Sequence, residues 1–321
     1  MNFPIQNFKF SPAGASAGAG HFSNRKSTIV NRKSSAFSLV EIMVVVGLLS
    51  LIVVALMAVF SSTQRAFRSG VTQTDVMEGA RAAVELITSD LHGLAPSGGP
   101  RLVPSTATNS NFQVANNASY SRWLLQPLLG SSPTARRTNL LQQVYILNRQ
   151  YNKWWGVGYA VVTNSPDGLF SLYRKEYPVG GAINGTNNPA GLRSAFNTFF
   201  ANPTNGGSHV ISGVINFSFR AYDKNGVWIY NTNNFLQPSN CIVTTLQGGE
   251  KGLVMFSNVI PAVVELNLAV VEDRALARAQ SYPAFMSQSN YLSQQVGAVH
   301  LFRQRVIVPN VDRMAYYPTN Q

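Results

Sequence analysis

Hydrophobic positions follow two different patterns along this chain. From Phe37 to Phe60 they are almost continuous: 24 residues in which Glu41 is the only ionisable side chain. At a rise of about 1.5 Å per residue, a helix of this length crosses a hydrocarbon core of roughly 30 Å. A helix also satisfies its own backbone polar groups in lipid. Beyond Phe60 the apolar positions thin to a helical period. Met77, Ala80, Val84, Ile87 and Leu91 recur at intervals of 3, 4, 3 and 4, one stripe on one face. No proline interrupts the chain from Phe37 to Ala95, and Gly93 and Pro96 supply a stop. The pattern predicts one helix from Phe37 to His92, about 84 Å long. Gly70 and Gly79 weaken its middle by up to ~1 kcal/mol each, so a local bend is expected there.

After Pro96 the period changes to that of strands. Residues 96–138 are rich in Ser, Asn and Pro and read as loop, with a short element near Trp123-Leu124-Leu125. Strands are predicted at Leu141–Leu147, at Trp154–Thr163 and at Leu169–Tyr177, the last two joined by the turn Ser165-Pro166-Asp167-Gly168. A Gly/Asn-rich loop, 180–207, contains a short helix near Ser194–Phe200. Ile215, Phe217 and Phe219 alternate with polar residues, and Asp223-Lys224-Asn225-Gly226 turns the chain into a strand at Val227–Tyr230. Val264, Leu266, Leu268 and Val270 alternate again. A helix from Asp273 to about Ala279 precedes a last strand near Val299–Val308. The expected architecture is α+β: a long N-terminal helix, half membrane-length and half amphipathic, packed on an antiparallel β-rich C-terminal domain.

Charge gives the first helix a direction. Arg25, Lys26, Arg32 and Lys33 precede the apolar run, whereas only Arg65 and Arg68 lie within the same distance after it. The positive-inside rule then places the N-terminus in the cytoplasm. A carboxylate inside a membrane-length run costs a few kcal/mol and marks function by default. Glu41 either reaches water at the interface or meets a cation. A free α-amine at Phe37, four residues away, is such a cation if the chain is cut between Ala36 and Phe37.

Ala36-Phe37-Ser38-Leu39-Val40-Glu41, with basic residues before and an apolar helix after, resembles the class III signal of type IV pilins and type II secretion pseudopilins. The resemblance implies that a prepilin peptidase cuts after Ala36 and N-methylates Phe37. It also implies that Glu41 neutralises the terminal amine of a neighbouring subunit during assembly. Ala36 stands where the family most often has Gly, and the 36-residue leader is longer than usual. Its stretch Ser11–Gly20 is low-complexity. The rival, an ordinary secretory signal, needs small residues at the cut and two before it, but Ala58 follows Leu56 at that spacing. Further on, Ser-Phe-Arg-Ala-Tyr-Asp at 218–223, Asp-Lys-Asn-Gly, the Trp228 segment and Ile260-Pro261-Ala262-Val263-Val264-Glu265-Leu266 are similar to the larger J-type minor pseudopilins and W-type minor pilins.

Expected segments are thus a cleaved cytoplasmic leader (1–36), a transmembrane and assembly helix (37–60), its amphipathic continuation (61–93) and an exported, periplasmic β-rich domain (94–321). The expected partners are other pilin or pseudopilin subunits, the prepilin peptidase and the inner membrane. The expected place is the tip or initiating complex of a pilus or pseudopilus, because a bulky head is hard to repeat along a shaft of close-packed helices. A signal-anchored surface or adhesive protein that never polymerises is the alternative.

Composition narrows the remaining chemistry. The leader carries five cations and no anions, so removing it takes the net charge from +12 to +7. One cysteine, Cys241, excludes an intramolecular disulfide framework and reads as a small buried or half-buried thiol. No His-x-x-x-His, Cys-x-x-Cys, Gly-x-Ser-x-Gly or phosphate-loop pattern occurs, so no enzyme, cofactor or metal is expected. Glu272-Asp273 reads as a solvated strand end or helix N-terminus. Asp223 and Asn225 read as a turn rather than a Ca²⁺ site. His300 reads as lying on an exposed strand face with Arg303 and Arg305. Nucleic acid is a lesser possible partner, through Arg136-Arg137, Arg303/Arg305 or the mixed aromatic and basic run Tyr151-Asn152-Lys153-Trp154-Trp155. At strand spacing those aromatics are more simply core or cross-strand pairs.

Overall fold

A computed structural model describes residues 38–98, 110–117, 124–127, 136–150, 153–178, 192–229, 240–245 and 251–316. They form two compact units that divide between Ser61 and Ser62. The fold is α+β, as the sequence pattern predicts. Helix α1 runs Leu39–His92, unbroken through Gly70 and Gly79. It ends where Gly93 and Pro96 were expected to stop it.

In the second unit, α1 buries Val76, Ala80, Ala83, Val84, Ile87 and Leu91. This corrects the predicted stripe at its first position: Val76 is buried and Met77 is 41% exposed. Val76, Ala80 and Val84 lie four residues apart on one ridge, and Met77 lies at its edge.

Seven antiparallel strands make the larger sheet, in the order β7-β6-β5-β4-β1-β10-β9. Their ranges are β1 Ser110–Asn116, β4 Gln142–Gln150, β5 Lys153–Ser165, β6 Gly168–Pro178, β7 Ser208–Ile211, β9 Cys241–Thr245 and β10 Lys251–Phe256. Three more strands make a second antiparallel sheet, β12-β11-β8: β8 Val214–Tyr222, β11 Val263–Val271 and β12 Val299–Ile307. A two-stranded hairpin joins β2 Leu125–Pro127 to β3 Arg136–Thr138. Short α-helices follow at α2 Asn197–Ala201, α3 Asp273–Gln280 and α4 Phe285–Gln294, with 3-10 turns at Leu192–Phe196, Val296–Ala298 and Arg313–Tyr316.

The stretches Val144–Leu147 of β4 and Gly156–Val162 of β5 are apolar without interruption because both faces are covered there. Val144, Ile146, Val157, Tyr159 and Val161 join the main core with the α1 stripe and with Phe217, Phe219, Leu266 and Leu268 of the second sheet. Tyr145, Leu147, Ala160 and Val162 face the opposite way, under Phe196, Phe199 and Phe200. Gly156 and Gly158 make the floor on that side. A Cβ on Gly158 would lie 2.6 Å from Phe196 Cδ1.

One polar cluster ties the helix to the large sheet. Asp90 is 8% exposed. Arg174 donates to it twice, from Nε to Oδ2 at 2.8 Å and from Nη2 to Oδ1 at 2.8 Å. Tyr159 donates its hydroxyl to Oδ2 as well. Burial disfavours the Arg174 charge, but its bonds to Asp90, together with Tyr159 and Glu176, outweigh this and raise its pKa. Burial first, and then the Asp90 carboxylate, raise that of Tyr159.

Further predicted features differ, among them the loop at 96–138, which contains β1, β2 and β3. Val227–Ile229 form no strand, only a bridge from Trp228 to Tyr222. The turn before them closes tightly instead: Asp223 Oδ1 accepts from the amides of Asn225 (2.9 Å) and Val227 (2.7 Å), and Gly226 takes φ +77°. His300 is on β12, but Arg303 and Arg305 point from the other face of that strand, since side chains alternate. It turns inward to Glu272, with Nε2 3.1 Å from Oε1. The predicted element at Trp123 lies partly outside the described residues. Tyr230 lies wholly outside them.

Asp90→Ala should lower stability by about 1.5–3 kcal/mol, because it removes two charge-assisted bonds to half-buried Arg174 and leaves only Glu176 against that charge. Gly158→Ala should cost about 1–3 kcal/mol by overpacking Phe196. Urea titration of the detergent-solubilised chain measures both; wild-type midpoints would contradict the packing described.

Candidate functional site

The first candidate is the start of α1. Ser38 lies just outside the helix, and its carbonyl accepts from the amides of Glu41 (2.9 Å) and Ile42 (3.2 Å). Glu41 therefore sits in the first turn, where the helix dipole favours a carboxylate. Its side chain is exposed. Ala36 and Phe37, the expected cleavage and methylation residues, lie outside the described residues, as do Arg25, Lys26, Arg32 and Lys33.

From Leu39 to Phe60, seventeen large apolar side chains are each at least 42% exposed. The most apolar 18-residue window of α1 has a mean hydropathy of 3.1, and none of it is buried. By length and composition α1 can cross a membrane. An apolar surface of this size marks an interaction with lipid or protein.

The second candidate was not foreseen. Glu265, in the middle of β11, is fully buried. Its neighbours in register are Arg305 on β12 and Arg220 on β8. Arg305 Nε donates to Oε2 at 2.8 Å, Arg303 Nη2 lies 2.8 Å from Oε1, and the Tyr222 hydroxyl donates to Oε2 at 3.1 Å. The two arginine side chains remain 62% and 56% exposed, so they lie over the carboxylate and screen it from solvent. Arg305 also stacks 4.9 Å from the Tyr222 ring centroid. Burial alone would raise the Glu265 pKa, but the bonds from Arg303, Arg305 and Tyr222 outweigh it and hold it at about 2. An Arg-x-Arg strand opposite a strand with one acid is the sequence signal for this cluster, and it can be read only once the register is known.

The remaining candidates have structural partners. Cys241 is half-buried on β9, and burial pushes its thiol up to about 12, away from reactivity. Glu272 precedes α3, and Asp273 lies in its first turn. Arg137 donates to Gln126 Oε1 at 3.2 Å, and burial lowers its pKa. Trp154 is buried against the second core, beneath Arg149 at 5.2 Å. Tyr151 and Asn152 lie outside the described residues. Among the described residues no three His, Cys, Asp or Glu side chains are grouped to hold a metal ion.

Compared with known proteins, the chain matches no family model, no curated protein and no solved structure.

Glu265 makes stability depend on pH with a definite sign. Its folded pKa of about 2 lies below its ordinary value of 4.5. The stabilisation is therefore complete above that ordinary value and is lost as pH falls through about 2. Glu265→Gln should cost on the order of 2–3 kcal/mol at neutral pH. The gap in unfolding midpoint between variant and wild type should narrow as pH falls. A constant gap would refute the assignment.

Proposed function

We propose that the chain is a minor pilin or pseudopilin, an assembly subunit rather than an enzyme. One observation carries this reading: an exposed, membrane-length apolar helix with a single carboxylate, Glu41, in its first turn, four residues after Phe37. The continuation of that helix docks on an antiparallel β-rich domain through the Val76–Leu91 stripe. This division suits a subunit whose first half packs in a membrane or filament and whose second half carries a head.

In this reading the precursor inserts with its N-terminus in the cytoplasm and its β-rich domain in the periplasm of a bacterium. The prepilin peptidase cleaves between Ala36 and Phe37 and methylates the new amine. The mature chain then enters the tip or initiating complex of a type IV pilus or type II secretion pseudopilus. There Glu41 pairs with the Phe37 amine of an adjacent subunit. That pairing removes an uncompensated charge from an apolar setting, which is costly for either group alone. The chemistry is done to this chain by the peptidase.

Mass spectrometry of the mature N-terminus is expected to find N-methyl-Phe37. An intact leader, or a terminus beyond Phe60, would sink the reading. A Glu41→Ala chain should be processed normally yet fail to co-purify with neighbouring subunits. Unchanged incorporation would favour a membrane-anchored protein that does not polymerise.

A further inference from the structure

We infer that the open edge of β12 takes up one extended segment of a different polypeptide, with acidic side chains where it meets Arg303 and Arg305. This goes beyond the assembly reading and does not depend on Phe37 or Glu41.

The two edges of the small sheet differ. On the β8 side, Phe217 donates to the Leu140 carbonyl (2.7 Å) and Phe219 to Gln142 Oε1 (2.7 Å), so the neighbouring chain covers that edge. On the β12 side no described strand pairs. The ladder fixes which groups are left over. Val308 donates to Ala262 O (3.0 Å), and Glu272 donates to Ala298 O (2.9 Å) at the other end. Between them the register is continuous from Val263↔Ile307 to Val271↔Val299. Antiparallel pairs alternate between bonded and non-bonded, so even-numbered residues of β12 bond to β11. The amides and carbonyls of Val299, Leu301, Arg303, Arg305 and Ile307 point away from it. A nine-residue strand whose outer edge no other described strand pairs is a template for strand addition.

A cleft of about 470 Å³ runs beside this edge, between Leu301–Gln304 of β12 and Arg81, Val84 and Glu85 of α1. The side chains select the occupant. Leu301 (53% exposed) and Ile307 (71%) flank the two arginines on the outer face. Each guanidinium has five donors, and the two share one carboxylate, buried beneath them. Two copies of β12 pairing antiparallel about Gln304 would set Arg303 against Arg305, and like charges directly opposite destabilise a pair. A second copy of this chain is therefore disfavoured in that register, and in any register it brings no carboxylate on β12 to meet the arginines. A strand reading apolar, acidic, acidic, apolar at alternate positions is complementary.

The test uses the full-length chain in mild detergent and two synthetic peptides, one alternating Glu with Val and one alternating Lys with Val. Hydrogen exchange should slow at the amides of Leu301, Arg303 and Arg305 on adding the Glu peptide, with no change on adding the Lys peptide. Leu301→Pro removes an outward N–H that β11 does not use, so the fold should survive while the Glu peptide binds about tenfold or more weakly. Equal protection by both peptides, or binding that leaves these three amides unprotected, would overturn the inference. So would no binding to wild type. The wild-type exchange result stands even if the proline variant fails to fold. Since exchange is read at β12 and processing at Phe37, failure here leaves the assembly reading untouched.

Discussion

The contact at Asp90 fixes where the C-terminal half of α1 sits on the large sheet. The apolar stripe from Val76 to Leu91 supplies most of the driving force, about 1.5–3 kcal/mol for each large side chain fully buried. That force is not directional. Ridges of Ala80, Ala83 and Val84 would tolerate some sliding along the sheet. Asp90 removes the freedom, because two bonds from Arg174 and one from Tyr159 meet at a single carboxylate. Arg174 and Tyr159 are cross-strand neighbours on β6 and β5. One helical residue is thereby fixed to two strands at once. Bidentate geometry of this kind adds direction as well as energy.

The same helix obeys opposite rules at its two ends. After Val76, polar and apolar positions alternate with the helical turn, and only one face is buried. Before Ser61, apolar side chains surround the axis and none is covered. A helix apolar on all sides suits a core or a membrane rather than water, and among the described residues its most apolar window is not buried. The contrast was visible in the sequence as a change from a continuous run to intervals of three and four. The register of the stripe was visible to within one residue, and Met77 was displaced by Val76 because the ridge, not the spacing count, decides contact.

Strands announced themselves where burial is apolar. Those at 142–150, 153–165 and 168–178 carry Val, Ile, Leu, Tyr and Trp on faces that are both covered. β1, Ser-Asn-Phe-Gln-Val-Ala-Asn, was hidden because its burial is partly polar. Asn111 is fully buried and donates to Ser257 O (2.8 Å) and Val259 O (3.0 Å), which no propensity records. Helix α4, with its Ser, Gln and Asn, was missed for a similar reason: Leu292 is its single fully buried side chain, so no stripe exists to be read. Glu265 is the sharper case. Alternation correctly sets it opposite Val264 and Leu266. Burial on that outer face comes from Arg303 and Arg305, thirty-eight and forty residues away in sequence.

The arginines also change the meaning of the chain's positive charge. Arg174 is engaged by Asp90 and Glu176. Arg193, whose pKa burial lowers, is held by Gln113 Oε1 (2.6 Å) and Asn197 Oδ1 (2.7 Å), 4.7 Å from the Phe200 ring centroid. Such side chains join elements from within and leave little for phosphates. Arg303 and Arg305 differ because their anchor lies below them and their remaining surface faces out. Holding a long side chain in one rotamer costs about 0.5–1.5 kcal/mol on association. Here Glu265 has already ordered both during folding. A partner carboxylate therefore meets fixed donors, and the buried acid that stabilises the sheet also prepares its outer face for binding.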